Sequence, residues 1–313
     1  AKVNASVKSE QLRLSEDEAV LTVEQYYWQW VSLKEKLKTL DVVGRQIDTI
    51  RRDVSTAVDA GVAMQNDLLQ VELERNRISA NRLKVNNGLS VVKMLLAQAI
   101  ELPADSFDIA VSVPEDLPDP NIYKVDHQAA LQITPTYRML QKSVEASKLQ
   151  RNMELGKRLP TIGIGAGYMY YDLPDQHSIS VIENRRSMGM VFASIAIPLS
   201  DWWGGTHAIR QKNVQLKIAE ESKRSNSELL LVQMQQLWNE LVEAYDQAKI
   251  SKESVVKATE NARISTNCYH AGTVAISDLL NAQSLLQQSR DQYTDDLTTY
   301  FIKRTRYLQA TGR

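Results

Sequence analysis

The chain has 313 residues, 24% charged and 43% apolar, with a formal net charge of −1 and a single cysteine, Cys268. That balance, without a basic run interleaved with aromatics, excludes a nucleic-acid interface, and one thiol excludes an intrachain disulfide framework or a cysteine-based metal site. No apolar run approaches the ~18 residues of a membrane-spanning helix, while three Phe and few, clustered Gly and Pro favour long amphipathic helices over a compact α/β domain.

Residues 1–59 carry apolar positions at helical spacing, among them Val3, Val7, Val20, Val23, Tyr27, Trp30, Val31, Leu37 and Leu40. No proline interrupts them. At 1.5 Å per residue such a leg reaches roughly 85–90 Å, the scale of a coiled coil. The opening Ala1-Lys2-Val3-Asn4-Ala5 has no leader pattern and reads as mid-helix. Gly61 then ends the first leg, a glycine supplying the positive φ that a helix terminus needs. Helical periodicity resumes over 62–101, so the two legs form an antiparallel hairpin with its tip near Gly61.

Residues 102–125 break the pattern with Pro103, Pro114, Pro118 and Pro120. A short helix follows at His127–Leu131, and Thr134-Pro135 opens another that runs to about Lys157, with proline in its first turn. Beyond Leu159-Pro160 the period changes from helix to strand. Thr161–Tyr171 places Ile162, Ile164, Ala166, Tyr168 and Tyr170 on one face. Ser187–Pro198 does the same with Gly189, Val191, Ala193, Ile195 and Ile197. Strands of about eleven residues fit a tilted crossing of a bilayer. Tyr168, Tyr170 and Tyr171 mark one end of this hairpin and Trp202 and Trp203 the other, as aromatic girdles do at membrane interfaces. The pattern alone fits a soluble hairpin with an aromatic cluster equally well, because two strands close no barrel. Gly163-x-Gly165-x-Gly167 sits inside the strand with no helix after it, so it is no nucleotide loop.

After Gly204-Gly205 the helical pattern returns from Ile209 to Tyr269, turns at Gly272 and runs back over 274–310. This second turn, Ala271-Gly272 with Asp278-Leu279-Leu280, repeats Ala60-Gly61 with Asp67-Leu68-Leu69 at a separation of 211 residues. In the same register Val3 falls on Val214, Tyr27 on Trp238, Val31 on Val242 and Ala99 on Ala310. An internal duplication is the simplest account. No catalytic constellation stands out. His127, His177, His207 and His270 have no metal-ligand spacing, and no residue pattern calls for a cofactor. Cys268 reads as a small packing residue. By position alone Asp67 and Asp278 are acids in the first turn of a helix, favoured by the macrodipole.

Three motifs together resemble the TolC-like outer-membrane efflux proteins: Leu159-Pro160-Thr161-Ile162-Gly163-Ile164 entering a strand, Pro198-Leu199-Ser200-Asp201-Trp202-Trp203-Gly204-Gly205 leaving the hairpin, and Tyr269-x-x-Gly272 with Ser277-Asp278-Leu279-Leu280 at the second tip. The resemblance runs from Lys2 to Gly312. It implies a mainly α fold in which long antiparallel coiled-coil hairpins, in two tandem repeats, join a transmembrane-type β-hairpin. Residues 1–101 would be the first hairpin of a periplasmic tunnel, 102–158 an equatorial connection with an ascending helix, 159–205 an outer-membrane β-hairpin, and 206–313 the second hairpin. The implied assembly is a homotrimer in the outer membrane of a Gram-negative bacterium, with twelve strands closing a barrel in outer-membrane lipid and twelve helical legs forming the tunnel. A periplasmic adaptor and an inner-membrane pump would complete a tripartite efflux or type I secretion machine. A coiled-coil scaffold without a pore is the competing expectation.

Residue roles implied by the resemblance lie at the tips. Tyr269 and Asp67 match a pair that latches the aperture closed, while Val274 replaces the arginine that would share the task. Asp278 and Asn281 match two acids facing the pore, the second here uncharged; residues three apart share a helix face. Ala60, Gly61, Val62, Ala271, Gly272 and Thr273 match the adaptor-docking surface. One departure is large: symmetry places a further β-hairpin and helix in roughly 110 residues upstream of Ala1. The expectation is therefore a piece of a longer precursor, whose leader and any lipid-anchor cysteine precede it, and which alone closes no barrel.

Overall fold

The computed structural model describes residues 2–111, 116–172, 185–197 and 206–313. These residues are mainly helical, with one small antiparallel sheet. Helices α1 (Lys2–Asp59) and α2 (Gln65–Ala99) form the first hairpin. A 3-10 turn at Pro120–Tyr123, α3 (His127–Leu131) and α4 (Pro135–Gly156) lead to strands β1 (Thr161–Asp172) and β2 (Arg185–Ala196). Helices α5 (Thr206–His270) and α6 (Ile276–Ala310) form the second hairpin.

The duplication fixes helix ends to the residue. Adding 211 to the end of α1 gives the end of α5, and adding it to both ends of α2 gives both ends of α6. At the first tip Gly61 has φ 74° and its N–H donates to Val58, while the Val62 N–H donates to Ala57. At the second tip Gly272 has φ 70°, its N–H donates to Tyr269, and the Thr273 N–H donates to Cys268. This paired 5→2 and 6→1 closure satisfies orphan carbonyls at a helix end. The far ends match as well. Leu102 donates to Ala97 and Arg313 to Leu308, about residues with positive φ, Glu101 at 55° and Gly312 at 77°. The expected start of the second leg at Val62 is three residues early. Met64 is extended, at φ −88° and ψ 149°, so the turn takes the chain through it before α2 begins.

The chain divides into two compact units, Val7–Arg138 with Ser227–Arg313, and Ala1–Ser6 with Met139–Asn226. The core of the first unit joins α1, α5 and α6 through Trp28, Val31, Trp238, Leu241, Leu297, Tyr300, Phe301 and Tyr307. Trp28 and Phe301 stack with centroids 4.2 Å apart. The described residues on either side of the proline-rich break are pinned to this core. Val111, Leu117, Tyr123 and Val125 pack on it, Tyr300 Oη donates to the Pro118 carbonyl at 2.6 Å, and Tyr307 Oη accepts the Val125 N–H at 3.3 Å. Toward the tips, Leu40, Val43, Ile47, Ile50 and Val54 of α1 pack with Val71 and Ile78 of α2 and with Ile276 and Leu279 of α6. Each fully buried side chain of this kind contributes about 1.5–3 kcal/mol. Ala258 and Ala262 against Ala282 and Leu286 let α5 and α6 approach closely.

In the second unit β1 and β2 pair antiparallel, with Ile162 opposite Ile195, Ile164 opposite Ala193, Ala166 opposite Val191 and Tyr168 opposite Gly189. This is the face that the alternation predicts. The second strand begins two residues earlier than expected, because Arg185 and Arg186 continue the ladder opposite Asp172 and Tyr171. The expected girdle residues Trp202 and Trp203, with the whole exit motif Pro198–Gly205 and His177, lie outside the described residues.

Candidate functional site

The tip residues stand free of the rest of the chain. Ala60, Gly61, Val62, Ala271, Gly272 and Thr273 are all exposed, and a Cβ placed on Gly61 or Gly272 would meet nothing within 4 Å. Glycine is therefore required by the left-handed backbone and not by crowding. The Thr273 hydroxyl closes locally on the Cys268 carbonyl at 2.9 Å.

Helix α5 brings Tyr269 to the tip core, where it is half-buried against the cluster containing Ile50, Val54 and Ile276. Burial raises its phenol above the ordinary value, and the carboxylates of Asp67 and Asp53 add to the shift. Asp67 thus lies within electrostatic reach of Tyr269, although no hydrogen bond joins them among the described residues. The Asp67 carboxylate instead accepts the Met64 N–H at 3.2 Å, holding the first turn of α2. Asp53 has no counterpart in the sequence reading; on α1 it looks like any other exposed acid. Asp278 and Asn281 are both exposed, three residues apart on α6. Val274 is partly buried and brings no charge to the tip.

Away from the tip, α6 carries polar groups that sequence reasoning did not single out. Gln283 and Gln287 are buried, Asp291 is partly buried, and each has one side-chain oxygen without a hydrogen-bond partner. Desolvation raises the Asp291 carboxyl above its ordinary value; Lys36 opposes that shift and Asp295 adds to it. Spacing of four places all three on one face of the helix, but nothing in the sequence marks that face as buried. Asp295 accepts from Ser32 Oγ at 2.9 Å and pairs with Lys36 Nζ at 2.7 Å. Arg77 of α2 donates to Ser284 of α6 at 2.9 Å, tying the two hairpins together near their tips.

The strands carry the other candidate feature. Tyr168 and Tyr170 project from the exposed apolar face, and Tyr171 lies at the same end of β1. Ile164 and Val191 on that face are 82% and 81% exposed. Among the described residues no group of His, Cys, Asp and Glu could hold a metal ion, and no helix is long and apolar enough to cross a membrane. His127 Nε2 lies 3.2 Å from the Tyr307 hydroxyl, and burial lowers its pKa.

No curated protein sequence matches the chain. Among solved structures, the outer-membrane channel OprN superposes with a TM-score of 0.82 at 15% identity, over 99% of this chain and 69% of that one. VceC from Vibrio cholerae gives 0.79 at 13%, over 99% and 74%. CmeC from Campylobacter jejuni gives 0.83 at 10%, over 99% and 66%. At these identities the likeness establishes the fold. Residues 127–313, more than half of the chain, match the family described as outer membrane efflux protein. The chain is accordingly a member of the outer membrane efflux protein family, a family of transport ducts located in the outer membrane.

Proposed function

We propose that this chain is a protomer of a trimeric exit duct that a periplasmic adaptor and an inner-membrane pump complete, and that its helix tips gate the duct. The observation that carries the reading is the β-hairpin. Its outward side chains, Ile162, Ile164, Tyr168, Val191 and Ile195, are exposed along two twelve-residue strands. Such a face is stable against lipid, and open strand edges enter lipid only when other strands close them into a barrel. A coiled-coil scaffold has no use for it. The exposed small residues at both tips fit close approach by a helical partner, and the Asp278 and Asn281 pair fits a ring around the pore.

Gating rests on Tyr269 with Asp67, and Asp53 supplies a second acid within electrostatic reach. A hydrogen bond from a phenol to a carboxylate is worth about 1.5–3 kcal/mol, less at a wet tip. Tyr269→Phe is expected to raise single-channel conductance in planar bilayers and to admit bulky antibiotics into cells. Conductance and permeability equal to wild type would remove the latch from the account.

A further inference from the structure

Three of the eight methionines share one face of the β-hairpin at neighbouring positions. Met169 stands directly opposite Met188, and Met190, two residues on, stands opposite Gly167. Alternate residues share a strand face, and directly opposed Cβ atoms are about 4.5–5.5 Å apart. Gly167 leaves room beside Met169 that Met190 occupies; a Cβ on Gly167 would be 3.8 Å from Met190 Cγ. Phe192 lies over Gly165 in the same way and bounds the group on one side. The three methionines are 55%, 47% and 43% exposed, so none of the side chains is buried in a core. They lie on the face opposite Ile162, Ile164 and Val191, and are not needed to cover lipid.

We propose that Met169, Met188 and Met190 form a three-thioether site for a soft monovalent cation, Cu(I) or Ag(I). Thioether sulfur is a soft, neutral donor that selects such ions over magnesium, calcium or manganese, which take oxygen ligands. The hairpin register supplies the convergence, and three rotatable bonds per side chain let each sulfur adjust to a shared ion. Coordination leaves the oxidation state unchanged and releases no proton. Affinity is therefore flat between pH 5 and 7, unlike that of sites built on carboxylate, imidazole or thiolate.

The test uses the whole chain in detergent, with Cys268→Ser to remove the one competing thiol and with methionine methyls labelled for NMR. Silver(I) is titrated in without chloride. The expected result is that the methyls of Met169, Met188 and Met190 shift together and saturate at one ion per chain. Met64, Met94 and Met153, exposed elsewhere, stay in place. Leucine conserves volume, so Met169→Leu, Met188→Leu and Met190→Leu are each expected to keep the fold and weaken binding about tenfold or more; Met64→Leu leaves it unchanged. Shifts at every exposed methionine at the same silver concentration, no shift at all, or undiminished binding in the leucine variants would overturn the proposal.

Discussion

Glu101 shows what the repeat demands of a single residue. It holds φ 55° where its counterpart Gly312 holds 77°. A side chain in the left-handed region costs about 1–2 kcal/mol. Glu101→Gly is thus expected to stabilise the chain by about 1 kcal/mol and raise the midpoint of a thermal melt; a lowered midpoint would count against the assignment. Asp291 is the opposite case, a carboxyl in an unfavourable place. Its pKa is raised in the folded state, so the folded chain holds the proton more tightly than the unfolded chain does. Stability from this group is fully present below the ordinary carboxyl value of 3.8 and is lost as pH rises through the folded value. Asp291→Asn should flatten that decline in pH-dependent denaturation curves, and an unchanged slope would show that Asp291 is not its source. Neither residue announced itself in the sequence. Glutamate gives no sign of positive φ, and an acid or glutamine on a long charged helix reads as surface until its neighbours are known.

Local rules made the elements legible, and partners decided the rest. Both helical hairpins followed from 3.6-residue periodicity and one glycine each. The β-hairpin followed from strict alternation, Ile162 to Tyr170 and Gly189 to Ile197. The pinning of Val111, Leu117, Tyr123 and Val125 was not legible, because prolines announce a break but not the core that receives these side chains. Asp67 was legible as an acid in the first turn of a helix, though not its hydrogen bond from the Met64 N–H. The tip separates its two roles by substitution. Asparagine tolerates the left-handed conformation, so Gly272→Asn preserves the turn while adding bulk to an exposed surface. Lost export with an unchanged melting midpoint is the outcome expected of a docking surface. Full export by a stably produced variant would leave Gly272 with turn chemistry alone.

At the scale of the molecule, a duplication built two hairpins with the same turns and then let their surfaces diverge. Apolar positions hold the register, Val31 over Val242 and Leu68 over Leu279, while the acids at the tips differ in their surroundings. Asp67 is occupied within its own helix, and Asp278 is left exposed with Asn281 beside it. In a trimeric duct three copies of Asp278 would ring the axis, favouring cations and trapping multivalent ones, with Asn281 leaving that ring at half the charge of a double-acid pattern. The most direct measurement is ion conductance of the full-length protein in planar bilayers, with trivalent cation added from the periplasmic side. The account predicts a cation-selective channel, selectivity weakened by Asp278→Asn, and block strengthened by Asn281→Asp. A protein that conducts no ions, or a channel whose selectivity and block ignore both substitutions, would contradict it.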